Sequence, residues 1–360
     1  MIYFYKPISA QPIENMHSYM HHFFHQLFNG GHAAYTHANF IHLDFLVIVT
    51  TYSEQIDDKL SAVFNAYSTL LPNEKTIVQA AYDNNNKILE VCNKTVRPYK
   101  YEELPAGITN ELKALYDSIG VLYKMLTSKK AYQPIKNKCG DLKTHFEAFR
   151  KVNEYSVCPF CGMENLLTEY DKGKNEYDHY ISKGDYPFCS INFKNLAPVC
   201  DYCNKGDNKG QKDIPFLPRI TPQVQEEIYY PYDSSTPDHE IKLKIISTNT
   251  DLSTVASWSL DIDCLPITNR IKKDRWVEIY NIDSRYKSKI SKDSKTWKGW
   301  IHKKYYTMCK KHNTPYNIFE EDAHNENMDY KNKNNGILMK TFYDFILNDP
   351  NCEANLKGVV

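Results

Sequence analysis

The chain has 360 residues, 42% hydrophobic and 24% charged, with 44 Lys and Arg against 44 Asp and Glu. That is a globular balance for two or three domains, and zero net charge excludes a global basic signal for nucleic acid, so any such signal must be local. The ten Cys are too sparse for a disulfide framework and "MIYFYKPISA" has no basic n-region, so a cytoplasmic chain with reduced thiols is expected and paired Cys read first as metal ligands.

In "MHSYMHHFFHQLF", His17, His21 and His25 recur every four residues beside His22. The spacing suits a transition-metal site, but only Glu14 lies alongside, and the polar stripe of an amphipathic helix is the preferred reading. The most apolar stretch, residues 40–52, is too short to span a bilayer and reads as a buried strand or core helix. Thr51 with Glu54 predicts a capping box that opens the next helix. Pro72 should end that helix, with another over about 74–91. Ile108, Leu112, Leu115, Ile119, Leu122 and Leu126 mark one apolar helical face. Leu142, Phe146 and Phe149 predict a helix leading into Cys158.

Residues 155–218 are loop-rich and carry two C-x-x-C pairs, Cys158 with Cys161 and Cys200 with Cys203. Two such pairs complete a tetrahedral zinc site, structural because four thiolates leave no open position. The gap of 38 residues between the pairs exceeds a ribbon's spacing, so something folded must sit between them. The alternatives are ordinary buried thiols or a redox pair. Cys189 is a spare, read as core or loop. Between the pairs, "EYDHYI" predicts a short strand with Asp178 and His179, "NLAPV" a return strand, and a helix follows from about Cys200. On that helix Asn204 and Asn208, four apart, would share a face, although Gly206 and Gly210 weaken it.

Beyond Pro218, Ile241, Leu243 and Ile245 alternate with polar residues. Val255, Trp258, Leu260 and Ile262 do the same with one slip in phase, and "STNTD" between them predicts a β-hairpin. Residues 269–312 read as helical, basic and aromatic. From 270 to 311 there are fourteen Lys or Arg against four Asp or Glu, a net of ten positive charges. That asymmetry favours a phosphate-facing side, with Arg270, Lys272, Lys273 and Arg275 as contacts. Trp276, Tyr280, Trp297 and Trp300 stand at helical spacing and read as core, and a merely solvated lysine face is the competing reading. A last helix is predicted over 337–347, after the polar loop "NENMDYKNKNNG".

The order Asp178-His179, then Asn195-Leu196, then Cys200-x-x-Cys203-Asn204 followed by Lys resembles the HNH (ββα-metal) endonuclease superfamily in its four-cysteine, zinc-stabilised form. The resemblance covers residues 158–212. It implies a ββα-metal module with structural zinc (139–218); with the periodicities on either side, an α+β chain is expected, with a mainly helical N-terminal region (1–138) and a C-terminal hairpin with basic helices (219–360). It implies DNA phosphodiester hydrolysis, with His179 as general base and Asn195 orienting it and pinning the loop. Asp178 and Asn204, or Asn208 as a nearby alternative, would hold catalytic Mg or Mn, hard cations suited to oxygen ligands. Asp185 is a lesser rival. Asn204 stands where the motif often has His. Lys205, Lys209 and Lys212 are expected at the scissile strand. Such nucleases with large unrelated flanks resemble those of bacterial defence or mobile elements, which suggests a separate ATPase or sensor partner. No G-x-x-x-x-G-K-[ST] occurs, so any ATP would bind another chain. An inert zinc-stabilised module for nucleic acid or protein and an RNA nuclease stay open beside this reading.

Overall fold

The apolar faces read from the sequence fold into two hydrophobic cores joined by the central module. The computed structural model describes residues 1–358 except 10, 127–132, 169, 172–174, 207, 211, 218–222, 236–237 and 327. The described residues are α+β with a helical majority and two two-stranded antiparallel sheets. Among the described residues no helix is long and apolar enough to cross a membrane.

The first core is built by α1 (Asn15–Asn29), α2 (His37–Phe40), α3 (Leu43–Thr51), α4 (Asp57–Thr69), α5 (Pro72–Asn85), α7 (Ala106–Met125) and α8 (Gln133–Cys139), with α6 (Ile88–Cys92) between α5 and α7. The helix of the apolar stretch is α3, so the core-helix reading holds over the strand. Its capping box does not form: Thr51 Oγ1 donates back to the Val47 carbonyl, and α4 begins only at Asp57. Pro72 opens α5, where its missing N–H is no loss, and Glu74 accepts from the Leu71 N–H at 2.9 Å. In α1, Phe23, Phe24 and Met20 face inward, while His17 meets Asn86 and His21 meets the Tyr82 hydroxyl. The histidines are thus a polar stripe. In α7, Ile108, Leu112 and Leu115 are buried, and Leu126 just beyond it is too; the side chains of Ile119 and Leu122 lie outside the described ones.

The second core gathers the first five residues, α6, α9 (Leu142–Val152), the cysteine module and the C-terminal region. Here Tyr3 Oη donates to the Val157 carbonyl and Tyr5 Oη to that of Pro198, so the N-terminal segment braces the module. The hairpin β3 (Glu240–Ile246) and β4 (Ser259–Leu265) pairs Leu243 with Ile262. The phase slip arises because Val255 lies in a 3-10 turn, outside the strand. Then come α11 (Arg270–Ile279), α12 (Ile282–Tyr305) with a π-helical turn over Tyr306–Lys311, α13 (Tyr316–Asn325), α14 (Gly336–Leu347) and α15 (Cys352–Lys357). The polar loop before α14 carries a 3-10 turn, Tyr330–Asn332. Of the expected divisions, 138/139 falls inside α8, and 218/219 lies outside the described residues.

Candidate functional site

The module opens on a cysteine knuckle. A bridge between Val157 and Asn165 folds the chain back, and the Gly162 N–H donates to the Cys158 carbonyl at 2.7 Å. Gly162 has φ +64°, and a Cβ there would meet Ile2 at 3.1 Å, so glycine is demanded by backbone and by packing. The second pair begins α10 (Asp201–Asn204): Cys200 is its N-cap, and its sulfur accepts from the Cys203 N–H at 3.4 Å.

All four cysteines are buried, and their Sγ atoms lie within 4.8 Å of one another. Tetrahedral thiolates at zinc's bond length stand about 3.8 Å apart, and Cys161 and Cys200 Sγ are 3.8 Å apart. The cluster is therefore close enough to bind one metal ion, and its donor set is compatible with structural zinc. Among the described residues it is the one such group of His, Cys, Asp or Glu. Cys189 stays outside it, directed at the Tyr186 carbonyl, with burial pushing its thiol up to about 12.

Sequence reasoning missed Arg285. From α12, its Nη1 donates to Cys203 Sγ at 3.6 Å and to the Tyr280 carbonyl at 3.1 Å, and its guanidinium covers the Tyr202 ring. A cation on the thiolates offsets the charge of a four-thiolate site. A contact 82 residues from Cys203 leaves no local signal.

Between the cysteine pairs run β1 (Glu176–His179) and β2 (Leu196–Val199), antiparallel, with Asp178 opposite Ala197 and His179 opposite Leu196. Asn195 is fully buried and closes the loop between them. Its Oδ1 accepts from the Ile181 N–H at 2.7 Å, and its Nδ2 donates to the carbonyls of Ile181 at 2.9 Å and Cys189 at 3.3 Å. One side chain thus fixes both ends of the loop.

His179 is partly buried, and its Nε2 lies 2.8 Å from the Ser190 carbonyl. A carbonyl only accepts, so Nε2 carries the proton and the lone pair of the neutral ring lies on Nδ1. Burial, then the charge of Lys183, holds this histidine down at about 3; it is neutral at physiological pH.

Asp178 is 7% exposed and Lys209 2%. Lys209 Nζ donates to Asp178 Oδ1 at 2.6 Å and to the His179 carbonyl. Burial pushes the Asp178 carboxyl up, with the Lys209 ammonium opposing. The glycine after this lysine packs closely on the start of the same segment. Gly210 has φ +46°, and a Cβ there would meet Gly206 Cα at 2.6 Å.

Helix α10 ends at Asn204, so Asn204 and Asn208 do not share a helical face. The chain leaves the helix at Lys205, which is extended with φ −71° and ψ 153°, and Asn208 turns inward to donate to the Tyr202 carbonyl at 2.6 Å. Asp185 is a loop residue whose carbonyl accepts from the Tyr101 N–H.

The expected phosphate contacts divide. Lys205 and Arg270 are exposed. Lys209 is consumed by Asp178. Lys273 is buried, donating to the Ile262 carbonyl, and Arg275 is buried, donating to those of Ile214 and Phe216. Lys212 reaches the Ile279 carbonyl at 2.6 Å and Lys272 the Asn93 side chain at 2.8 Å. Residues that satisfy buried carbonyls cannot also neutralise phosphates in solvent, so Lys209, Lys273 and Arg275 are structural.

No protein-family model matches the chain, and comparison with curated proteins and with solved structures found no match.

Proposed function

We propose that the chain is a metal-dependent HNH-type endonuclease that hydrolyses DNA phosphodiester bonds, with zinc on Cys158, Cys161, Cys200 and Cys203 as its structural support. One observation carries this reading. Asp178-His179 lies on a strand paired with the one that follows Asn195, and Asn195 fastens both ends of the loop between them, beside the cysteine cluster.

His179 acts as the general base. Its Nε2–H is held by the Ser190 carbonyl, so Nδ1 takes the proton of the attacking water. A neighbouring phosphate anion raises the ring's basicity by stabilising its charged form. Asn195 positions the base by fixing the loop that carries the Ser190 carbonyl. The Asp178 carboxylate and the amide oxygens of Asn204 and Asn208 are donors of the type that would hold Mg or Mn. Such an ion, when bound, supplies Lewis-acid stabilisation at the scissile phosphate. Lys209 competes for Asp178 at its Oδ1, and its withdrawal frees the carboxylate. Lys205 and Arg270 face solvent, where DNA can reach them. A setting in bacterial defence, with a separate ATPase or sensor chain, belongs to the same proposal.

The buried Lys209–Asp178 pair favours one second reading, an inert zinc-supported binding module. The two separate on end-labelled DNA and RNA of one sequence, incubated with zinc-loaded protein and Mg or Mn. Metal-dependent cleavage of DNA to 5′-phosphate and 3′-hydroxyl ends supports the nuclease. Cleavage of RNA alone replaces the substrate. Binding without cleavage of either, unchanged in His179→Ala, selects the binding module.

A further inference from the structure

Helix α12 is divided along its length. Ile290, Ser294, Trp297, Ile301 and Tyr305 form its buried stripe. On the opposite side Lys292, Lys295, Lys303 and Lys310 are exposed, the last on the π-helical turn. At 100° per residue these exposed positions, with Gly299, Trp300 and Tyr306, fall in an arc of about 140° that runs for about 27 Å.

The arc carries a net positive charge. The flanking lysines are engaged: Lys287 with Asp283, Lys289 with Asp293, and Lys304 with Asp322 and Glu326. Lys292, Lys295, Lys303 and Lys310, with the adjacent Lys311, make no ion pair among the described residues, and the arc itself contains no Asp or Glu. Asp251, on the loop of the β3–β4 hairpin, is near enough to feel Lys295 and Lys298.

Two rings stand among these lysines. Trp276, Tyr280, Tyr286, Trp297 and Tyr305 are buried, whereas Trp300 is 48% and Tyr306 61% exposed. On the same arc, next to Trp300, an added Cβ on Gly299 would meet nothing within 4 Å. The helix is therefore bare there, with Lys295 and Lys303 one turn to either side.

We propose that this outer face of α12 and of the following π-helical turn is a docking surface for single-stranded DNA, its phosphates on Lys292, Lys295, Lys303 and Lys310 and its bases on Trp300 and Tyr306. Charge complementarity selects a polyanion. Exposed rings add to it only where base faces are free, which a duplex does not offer. An acidic peptide has no need of the rings. An anionic bilayer calls for a continuous apolar face, and the apolar face of α12 is in the core. The choice of DNA over RNA rests on the nuclease reading; the surface itself does not.

The test is fluorescence anisotropy of labelled oligo-dT with the full zinc-loaded chain, in a salt series without added Mg or Mn. Lys292→Gln/Lys303→Gln/Lys310→Gln should weaken binding and flatten the slope of log affinity against log salt by about 2. Trp300→Ala should weaken binding about five-fold or more at nearly unchanged slope. Gly299→Leu should weaken it while leaving the helix intact, since leucine is the better helix former. All these positions are exposed, and circular dichroism with a melting curve confirms that each variant is folded. Unchanged affinity and slope in the triple variant overturn the proposal. So does better competition by duplex DNA, by oligo-U or by phosphatidylserine vesicles. Because no catalytic metal is added, binding is read alone. A native chain that binds oligo-dT but cleaves nothing once metal is supplied counts against the nuclease alone, and a native chain that does not bind oligo-dT counts against the surface.

Discussion

The four-cysteine cluster and the Asp178–His179 centre lie in one module and differ in how completely they are assembled. In the first, four like ligands converge to within one metal ion's reach, set by two local turns and one glycine. In the second, the strand pairing and the Asn195 bonds hold the backbone firmly, yet the single carboxylate is already neutralised by Lys209. The contrast separates two properties of a site. Backbone placement follows from short-range pairing, whereas ligand availability depends on which distant cation reaches the ligand first.

The largest expected effect lies at the cysteines. Zinc analysis should find one ion per chain, and Cys203→Ser should lose it, together with on the order of 10 kcal/mol of support for the fold. A chain that melts alike with and without bound zinc would erase the contrast. Next comes Lys209→Met, which leaves Asp178 buried without its partner and should cost about 3–5 kcal/mol. Added Mg or Mn should recover part of that loss in the variant's melting temperature and do little for the native chain. No recovery would mean that Asp178 is a structural carboxylate and not a metal ligand.

A smaller effect is expected at Arg285. Removing the guanidinium with Arg285→Met should weaken zinc retention about 10- to 100-fold against a chelator while leaving the strand pairing at Asp178 unaffected. The last is a pH effect. His145 is buried, bonded to the hydroxyl of Tyr177 in β1, and burial holds it down at about 4. The unfolded chain takes up this proton below about pH 6.5, before the folded chain does. The contribution of His145 to stability should therefore be level above pH 6.5 and fall by about 3 kcal/mol towards pH 4. In urea titrations His145→Gln should flatten that fall.

What the sequence made legible was short-range. The two C-x-x-C pairs, the strands at Asp178 and after Asn195, and the helix through Leu142, Phe146 and Phe149 each rest on neighbours within a few residues. The hairpin was legible too, apart from its slip at Val255, where a 3-10 turn replaces strand. The capping box of Thr51 and Glu54 failed because Thr51 bonds back into its own helix. The basic segment misled for a related reason. Lys273 and Arg275 follow the composition of a phosphate-facing helix, but they meet buried carbonyls of Ile262 and Ile214. Lys209 likewise finds Asp178, 31 positions away. Such long-range pairings leave no period or spacing to read.

The most direct test of the central claim is the nicking of supercoiled plasmid by zinc-loaded protein with Mn or Mg, native against His179→Ala. With His179 as general base, the native chain nicks only when the metal is added, and the variant is slower by a factor of about 100 or more. Equal nicking by both would contradict the assignment and place the chemistry elsewhere.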